Sequence, residues 1–264
     1  MSLKIAVSGK GGVGKTTVAA VLASLYAREG KKVIAVDADP ASSLPAALGV
    51  PEQQRKEIVP LSQMLDLIEE RTGARPGETP SFFSLNPRVD DLVERFAVRG
   101  EEDIDILVLG TIQAPGSGCF CPESALLKGL LRHLILDDKH VVVIDLEAGL
   151  EHLGRSTSKV VDVMLIVVEP GRRSVETAER IGTMANTLGI KNIFIIINKV
   201  STSQQEVEVT TLLKGSPWTV LGFIPYVPEM IDADLNGRSA LDCDCPRAVE
   251  AIQKIKENID LSLR

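Results

Sequence analysis

The feature that most constrains this chain is a glycine-rich string close to its start. Residues 9–16 read GKGGVGKT and match the pattern G-x-x-x-x-G-K-[ST] in full. An apolar run at residues 4–8 precedes the string, and a helix-like pattern at residues 15–29 follows it. A strand, a glycine loop and a helix in this order form a phosphate-binding loop. We therefore expect an α/β fold in which this loop binds phosphate groups.

The rest of the chain alternates short apolar runs with longer amphipathic stretches. This alternation predicts a doubly wound, mostly parallel sheet with helices on both faces. Strands are predicted at residues 4–8, 33–37, 104–110, 141–145, 163–168, 192–198 and 220–224. Helices are predicted at residues 15–29, 60–71, 123–136, 174–188, 204–213 and 246–259. Residues 73–100 are the least regular, with one short strand predicted at 81–85, and all of residues 1–264 are predicted to form a single domain.

Composition narrows the class of protein. Hydrophobic residues make up 44% of the 264 residues but aromatic residues only 3%, so the core must consist of Val, Ile, Leu and Ala, as in a buried parallel sheet. The net charge of −7 argues against broad binding to nucleic acid or to an anionic membrane surface. No signal-like segment is visible, and no apolar run approaches the ~18–20 residues of a membrane span. We expect a cytoplasmic protein whose four cysteines are thiols or metal ligands rather than a disulfide framework.

The chemistry of the loop follows from its residue types. Glycines let the backbone curl so that N–H groups point at phosphate oxygens. Lys15 would neutralise the β- and γ-phosphates, and Thr16 would offer its hydroxyl to Mg²⁺. The predicted nucleotide contacts of the loop are Gly11, Gly12, Val13, Gly14, Lys15, Thr16 and Thr17.

A further lysine, Lys10, makes the string KGGVGKTT a deviant Walker A motif. Here the sequence resembles the superfamily of the nitrogenase iron protein, MinD, ParA and the arsenite-pump ATPases, which are P-loop NTPases of the SIMIBI/MinD type. The resemblance implies a nucleotide-sandwich homodimer in which Lys10 reaches the phosphates of the other subunit, much as an arginine finger does. A solvated loop lysine is the alternative.

The second predicted strand ends in the string DADP, which looks like the switch I of this superfamily. The resemblance implies that Asp39 orients the attacking water and that Asp37 lies near the Mg²⁺ ion. A carboxylate suits the first role because it accepts a hydrogen bond from water. The alternative is a turn that merely uses Asp and Pro.

The run VVVID at residues 141–145 resembles a Walker B strand. By that resemblance Asp145 holds Mg²⁺ through a water molecule. Glu147, Ala148 and Gly149 then resemble switch II, which responds to the γ-phosphate. The role of Glu147 stays open, because many members of the superfamily carry another residue there.

Asn198 and Lys199, at the end of a predicted strand, indicate which base the nucleotide carries. Guanine-binding proteins use a similar pair with an Asp two residues after the Lys, but Ser201 stands at that position here. ATP and ADP are therefore favoured over guanine nucleotides. The superfamily resemblance places Asn198 against adenine, with Pro225 and Tyr226 on the other side of the ring. An ordinary Asn at a strand end is the alternative.

Two cysteines, Cys119 and Cys121, lie in a loop just before a predicted helix. A helix N-terminus lowers thiol pKa values and favours the thiolate. Two thiolates are too few for a closed tetrahedral site, but a C₂ dimer would bring four together, enough for Ni²⁺ or Zn²⁺. Structural thiols and a redox pair are the alternatives.

The loop GCFC, the switch string DLEAGLEH and the end of the Asn-Lys strand narrow the resemblance to the CooC-type ATPases. These are nickel-insertion accessory proteins of carbon monoxide dehydrogenase and acetyl-CoA synthase, and the similarity spans nearly the whole chain. It implies an ATP-dependent metallochaperone with one of those apo-enzymes as acceptor. A spatial organiser like MinD or ParA and an iron–sulfur carrier ATPase remain alternatives. The choice of nickel or zinc, the acceptor, and the roles of Cys243, Cys245 and His152 stay open.

Overall fold

The described residues build one central sheet. The structure is a computed structural model that describes residues 2–77, 82–110, 121–148, 161–236, 238–239, 241 and 245–263. The strands among them are β1 (Leu3–Gly9), β2 (Val33–Ala38), β3 (Val98–Arg99), β4 (Asp105–Val108), β5 (Val141–Leu146), β6 (Val163–Val168), β7 (Asn192–Val200) and β8 (Thr219–Pro225). Their order across the sheet is β3-β4-β2-β5-β1-β6-β7-β8. All neighbouring pairs are parallel except β3 with β4, so the predicted mostly parallel sheet is confirmed.

The central strands form because their sequences suit burial on both faces. Every residue of β1, β2, β5 and β6 is buried, and most of these residues are Val, Ile, Leu or Ala. Strands covered on both faces are expected to be continuously apolar rather than alternating. β-branched side chains also pack well on a pleated surface.

Helices cover both faces of the sheet. Within the described residues they are α1 (Lys15–Arg28), α2 (Leu44–Ala47), α3 (Glu52–Glu57), α4 (Leu65–Thr72), α5 (Leu92–Phe96), α6 (Pro122–Leu136), α7 (Arg172–Thr187), α8 (Ser203–Leu212), α9 (Pro228–Leu235) and α10 (Pro246–Ser262). One hydrophobic core lies under α4 to α8, and the other lies under α1, α2, α9 and α10. The sheet is therefore wound on both sides, as predicted.

Some predicted boundaries differ from the structure. The predicted helix at 60–71 begins as a 3₁₀ turn at Leu61–Gln63 and becomes α4 only at Leu65. The predicted strand at 81–85 is wrong for residues 82–85, which are irregular. Phe82 is 90% exposed and Leu85 61% exposed, so the apolar pattern there does not mark a buried face. The short elements α2, α3, α5, β3 and α9 were not predicted, because two to eight residues give too few periods to detect.

No helix within the described residues combines the length and the apolar character that a membrane span requires.

The site is positioned by the carboxyl ends of the parallel strands. In the aligned strands β2 and β5, Asp37 lies opposite Asp145. Between β5 and β6, β1 ends at Gly9, and the chain continues from there into the glycine loop. Ligands of open α/β sheets bind at this edge of the sheet.

Candidate functional site

The glycine loop has the backbone shape of an anion cradle. It connects β1 to α1, and Gly14 stands at the N-cap of α1 with a left-handed φ of 91°. Gly12 is also left-handed, with a φ of 79°. Val13 between them is fully buried and packs into the core, so it anchors the loop instead of lining the cleft. The N-terminus of a helix and its free N–H groups then face the place where phosphates would bind.

The predicted site residues largely share one cleft of about 460 Å³ at the carboxyl edge of the sheet. Those that line it are Gly11, Gly12, Gly14, Lys15, Thr16, Thr17, Asp39, Asn198, Lys199, Pro225 and Tyr226. They come from four separate segments of the chain. The fold therefore brings the loop, switch I and the base segments together.

Lys15 and Asp39 form an ion pair inside this cleft. The Lys15 Nζ lies 3.4 Å from the Asp39 Oδ2, and the two side chains are only 6% and 15% exposed. A triphosphate would compete with Asp39 for this amine, because phosphate oxygens and the carboxylate are acceptors for the same cation. Asp39 would then be released next to the γ-phosphate. The ion pair would thus link nucleotide binding to the position of the segment that carries Asp39.

Thr16, Asp37 and Asp145 meet next to the loop. The Thr16 hydroxyl donates to the Asp145 Oδ2 at 2.5 Å. The other carboxylate oxygen of Asp145, Oδ1, is buried and bonds to none of the described residues. Hydroxyl and carboxylate oxygens are the ligands that Mg²⁺ prefers, and Mg²⁺ keeps several waters. The donor set fits Mg²⁺, and the unpaired Oδ1 is the atom that would accept a hydrogen bond from a metal-bound water.

Asp37 has a structural task as well. Its Oδ2 accepts the Leu44 N–H at 2.9 Å and its Oδ1 accepts the Asp39 N–H at 3.2 Å, so the carboxylate holds the turn that carries Asp39. The pKa of Asp37 is raised to about 7: burial is the largest cause, the nearby charge of Asp145 acts in the same direction, and the two N–H groups oppose the shift. A buried carboxylate beside another favours a bound cation, since the cation offsets both charges.

Asp145 is shifted in the same direction. Burial raises its pKa to about 6, while the Thr16 hydroxyl and the Lys15 ammonium oppose the shift. The carboxyl groups of Asp37 and Asp145 are both fully buried in the structure. Two carboxyl groups with raised pKa values at one edge mark a functional site, because such groups are costly unless a ligand compensates them.

The base end of the cleft is apolar and open to solvent. Pro225 closes β8 and Tyr226 follows it with 43% exposure. Met230 and Ile231, from the unpredicted helix α9, complete this wall. Flat, partly exposed apolar surface suits the face of a purine ring. The pattern of apolar residues just after Tyr226 was the signal that could have indicated these two residues.

Asn198 and Lys199 lie beneath the loop. The Asn198 Nδ2 donates to the carbonyl oxygen of Val13 at 2.8 Å, and the Lys199 Nζ donates to the carbonyl oxygen of Gly12 at 2.5 Å. Asn198 is only 8% exposed. Both residues line the cleft, and both side chains donate to carbonyl oxygens of the loop.

The segment predicted to act as switch II is hydrogen-bonded to the first strand. The hydroxyl of Ser8, the last residue before Gly9, donates to the carbonyl oxygen of Glu147 at 2.7 Å. The Glu147 side chain is exposed and Ala148 is partly buried, while Gly149 lies outside the described residues. Sequence reasoning missed Ser8, although a polar residue in an otherwise apolar strand was a usable signal.

The structure describes Lys10, which is predicted to act on the other subunit, but only some of the cysteines. Lys10 is exposed at the tip of the loop. Cys121 is partly buried at the N-cap of α6. Cys119, His152 and Cys243 fall outside the described residues.

Cys245 lies at the N-cap of α10. It is 2% exposed and is disulfide-bonded, which differs from the expectation of a reduced thiol. Within the described ranges, no group of three or more His, Cys, Asp or Glu side chains is arranged to hold a metal ion.

Comparison with known proteins agrees with this geometry. The family model for the CobQ/CobB/MinD/ParA nucleotide binding domain matches residues 4–240. The carbon monoxide dehydrogenase accessory protein CooC of Rhodospirillum rubrum is 46% identical over 241 residues, covering 91% of this chain and 90% of that protein. An uncharacterized ATP-binding protein of Methanocaldococcus jannaschii is 47% identical over 251 residues, covering 95% of this chain and 96% of that protein.

Solved structures show the same fold. The septum site-determining protein MinD of Pyrococcus horikoshii, complexed with Mg-ADP, superposes with a TM-score of 0.69 at 22% identity, covering 100% of this chain and 98% of that one. MinD in the MinC:MinD complex of Aquifex aeolicus gives a TM-score of 0.69 at 22% identity, covering 100% and 96% of the two chains. The chain therefore belongs to the CobQ/CobB/MinD/ParA nucleotide-binding family, and within it this ATPase is a CooC-type member.

Proposed function

We propose that this ATPase is a metallochaperone that binds nickel and inserts it during the maturation of carbon monoxide dehydrogenase or acetyl-CoA synthase. The observation that carries the proposal is its 46% identity to a carbon monoxide dehydrogenase accessory protein over nine-tenths of both chains. Nickel is the substrate that is transferred, and ATP hydrolysis provides the free energy. The working unit is a cytoplasmic homodimer.

The metal site of the proposal consists of four thiolates, Cys119 and Cys121 from each subunit. Cys121 lies at the N-cap of α6, a helix of 15 residues, where the positive end of the helix dipole favours the thiolate. Four thiolates provide a tetrahedral site for Ni²⁺ or Zn²⁺. Dimer closure would assemble this site and opening would take it apart.

One hydrogen bond and one sheet pairing join Asp37 to residues that precede this loop in the chain. The N–H of Leu109 donates to the carbonyl oxygen of Asp37 at 2.8 Å, and Val108 is the sheet partner of Asp37. Gly110 follows Leu109 directly, and the segment with Cys119 begins there. In this proposal a movement of the segment with Asp37 and Asp39 is passed through this hydrogen bond to the residues that precede the loop with Cys119 in the chain. Coupling of this kind requires two states that differ in metal affinity.

The hydrolytic step uses the residues of the cleft. Lys15 binds the β- and γ-phosphates, Thr16 and Asp145 hold Mg²⁺, and Asp39 orients the attacking water. Lys10, exposed at the loop tip, stabilises the charge on the phosphates bound by the other subunit. Each interaction acts at the transferred phosphoryl group, where charge changes most in the transition state.

The terminal helix weighs against a membrane-targeting role of the MinD kind. Four apolar residues of α10, Ala248, Ile252, Ile255 and Ile259, are buried in the core under α1 and α10. A surface-binding amphipathic helix needs its apolar face for lipid. Here that face already stabilises the fold.

Anaerobic nickel titration, with and without ATP and with oligomeric state measured at each point, tests the proposal. We expect about one nickel per dimer and tighter binding in the ATP state. The double change Cys119→Ser and Cys121→Ser should abolish binding, whereas Cys243→Ser with Cys245→Ser is the matched control and should retain it. Nickel binding that ignores ATP would break the coupling. Retention of nickel by the first double variant would remove the proposed site.

A further inference from the structure

Two side chains that line the nucleotide cleft are directed at the backbone of the loop. The Asn198 Nδ2 donates to the Val13 carbonyl oxygen, and the Lys199 Nζ donates to the Gly12 carbonyl oxygen. We infer that Asn198 and Lys199 are positioning residues of the phosphate site, which hold successive peptide planes and so fix the loop backbone with the Gly14 N–H facing the phosphates. This role differs from the expectation that Asn198 lies against adenine.

The local backbone of β7 is bent to present these two side chains. The register with β8 shifts between Ile197 and Val200, which marks a bulge. Lys199 within it has a φ of 59°, a left-handed conformation that costs a non-glycine residue free energy. Bulges re-aim side chains and occur next to active sites. Strain of this kind persists only where the surrounding contacts compensate it.

The hydrogen bonds of Asn198 fix how its amide is oriented. The Val13 carbonyl can only accept, and the Lys199 backbone N–H, 2.8 Å from the Asn198 Oδ1, can only donate. The NH₂ of Asn198 must therefore face the loop and its oxygen must face Lys199. A Cβ on Gly14 would overlap this NH₂, so the loop and the amide are in tight contact.

The consequence for phosphate binding follows from the planarity of the peptide bond. In a trans peptide the C=O and the next N–H point in opposite directions. When Asn198 holds the Val13 carbonyl below the loop, the Gly14 N–H points the other way, toward the cleft. Lys199 holds the plane between Gly12 and Val13, whose N–H donates to the Lys10 carbonyl oxygen at 3.4 Å within the loop. Both peptide planes are then oriented before the nucleotide arrives, which lowers the entropic cost of binding.

The inference depends on nucleotide binding by this family and not on the proposed nickel chemistry. A base-free ligand separates positioning from base reading, because inorganic tripolyphosphate meets only the loop. We expect Asn198→Ala to weaken binding of Mg-tripolyphosphate and of Mg-ATP by a similar factor of about 10, the effect of one lost buried hydrogen bond. The preference for ATP over GTP should stay within about twofold of the unchanged protein.

Asn192→Ala is the matched control, since Asn192 lies on the same strand and its Nδ2 donates to the Asp162 carbonyl at 2.9 Å, far from the loop. It should leave both affinities unchanged. Calorimetric titration in the absence of nickel provides the measurement, and thermal unfolding without ligand checks that each variant is folded. Unchanged tripolyphosphate affinity, or a selective loss of ATP over GTP binding, would overturn the inference.

A second variant keeps the test decisive where Asn198→Ala does not fold. Lys199→Met removes the donor to the Gly12 carbonyl and retains the side-chain length. It should weaken tripolyphosphate and ATP by equal factors, and Lys199→Arg, which can still donate, should restore most of both. Loss of ATP binding alone in Lys199→Met would assign this side chain to the base and refute the positioning role.

Discussion

Three glycines of the phosphate loop allow the energetics of its backbone to be measured one component at a time. Gly11 is not left-handed, and a Cβ there would meet nothing within 4 Å. Gly12 is left-handed but equally open. Gly14 is left-handed, and a Cβ there would overlap the Asn198 amide. Alanine should therefore be tolerated without strain at Gly11, should strain the backbone at Gly12, and should cause both backbone strain and a steric clash at Gly14.

The expected magnitudes follow from these geometries. Gly11→Ala should stabilise the protein by up to about 0.5 kcal/mol, because alanine reduces the freedom of the unfolded chain. Gly12→Ala should destabilise it by about 1 kcal/mol, the cost of a left-handed alanine. Gly14→Ala should cost about 2–4 kcal/mol, since displacement of Asn198 also leaves the buried Val13 carbonyl without its donor.

Urea unfolding followed by far-ultraviolet circular dichroism, without nucleotide or Mg²⁺, measures these free energies of unfolding. Omitting the ligand separates the stability of the loop from its affinity for phosphate. The reasoning predicts the order Gly11→Ala, Gly12→Ala, Gly14→Ala from most to least stable. A Gly14→Ala variant no less stable than Gly12→Ala would show that the Asn198 contact contributes nothing.

Three further changes test other parts of the site. Lys10→Ala should keep ATP affinity and lower phosphate release by about 10³-fold or more if the lysine acts in trans, and normal turnover would contradict that role. Metal-free protein should lose stability as the pH rises from about 4 through 7, because Asp37 ionises near 3.8 in the unfolded chain and only near 7 when buried in the folded protein. Asp37→Asn should remove up to about 4 kcal/mol of this loss, which would appear as a flatter pH profile of thermal unfolding. Parallel pH profiles of the variant and the unchanged protein would refute this reasoning. Ser8→Ala removes the hydrogen bond to the Glu147 carbonyl and should lower the free energy of unfolding in urea by about 1 kcal/mol. It should also slow ATP hydrolysis while ATP affinity changes less than twofold. Unchanged turnover would rule out a role of this bond in coupling β1 to the segment with Glu147.

The parts of the site that sequence reasoning could predict are contiguous in the chain. The glycine loop carries its own strand and helix, and Asp145 ends a strand whose apolar run is unmistakable. The parallel order of strands then brings these ends to one edge of the sheet. The convergence of Thr16 and Asp145 is thus a consequence of topology, and topology followed from the alternation of strands and helices.

Elements whose stability depends on tertiary contacts were harder to predict. Helix α2 has only four residues and exists because the buried Asp37 carboxylate accepts the Leu44 N–H at its first turn. The strand β3 has two residues and pairs antiparallel to β4 at the edge of the sheet. A local pattern of this length carries almost no periodic signal. The failed strand at 81–85 shows the opposite error, an apolar pattern without a buried face.

The contact between β7 and the phosphate loop explains why a motif describes only half of such a site. Asn198 and Val13 are 185 positions apart, and the bond between them depends on a bulge that no residue type announces. Any donor correctly placed beneath the loop could hold the same carbonyl, so the position of the donor matters more than its residue type. The residues that contact phosphate are therefore local and readable. The residues that shape the loop come from a strand that is distant in the sequence, and mutations there should change phosphate affinity without altering the motif itself.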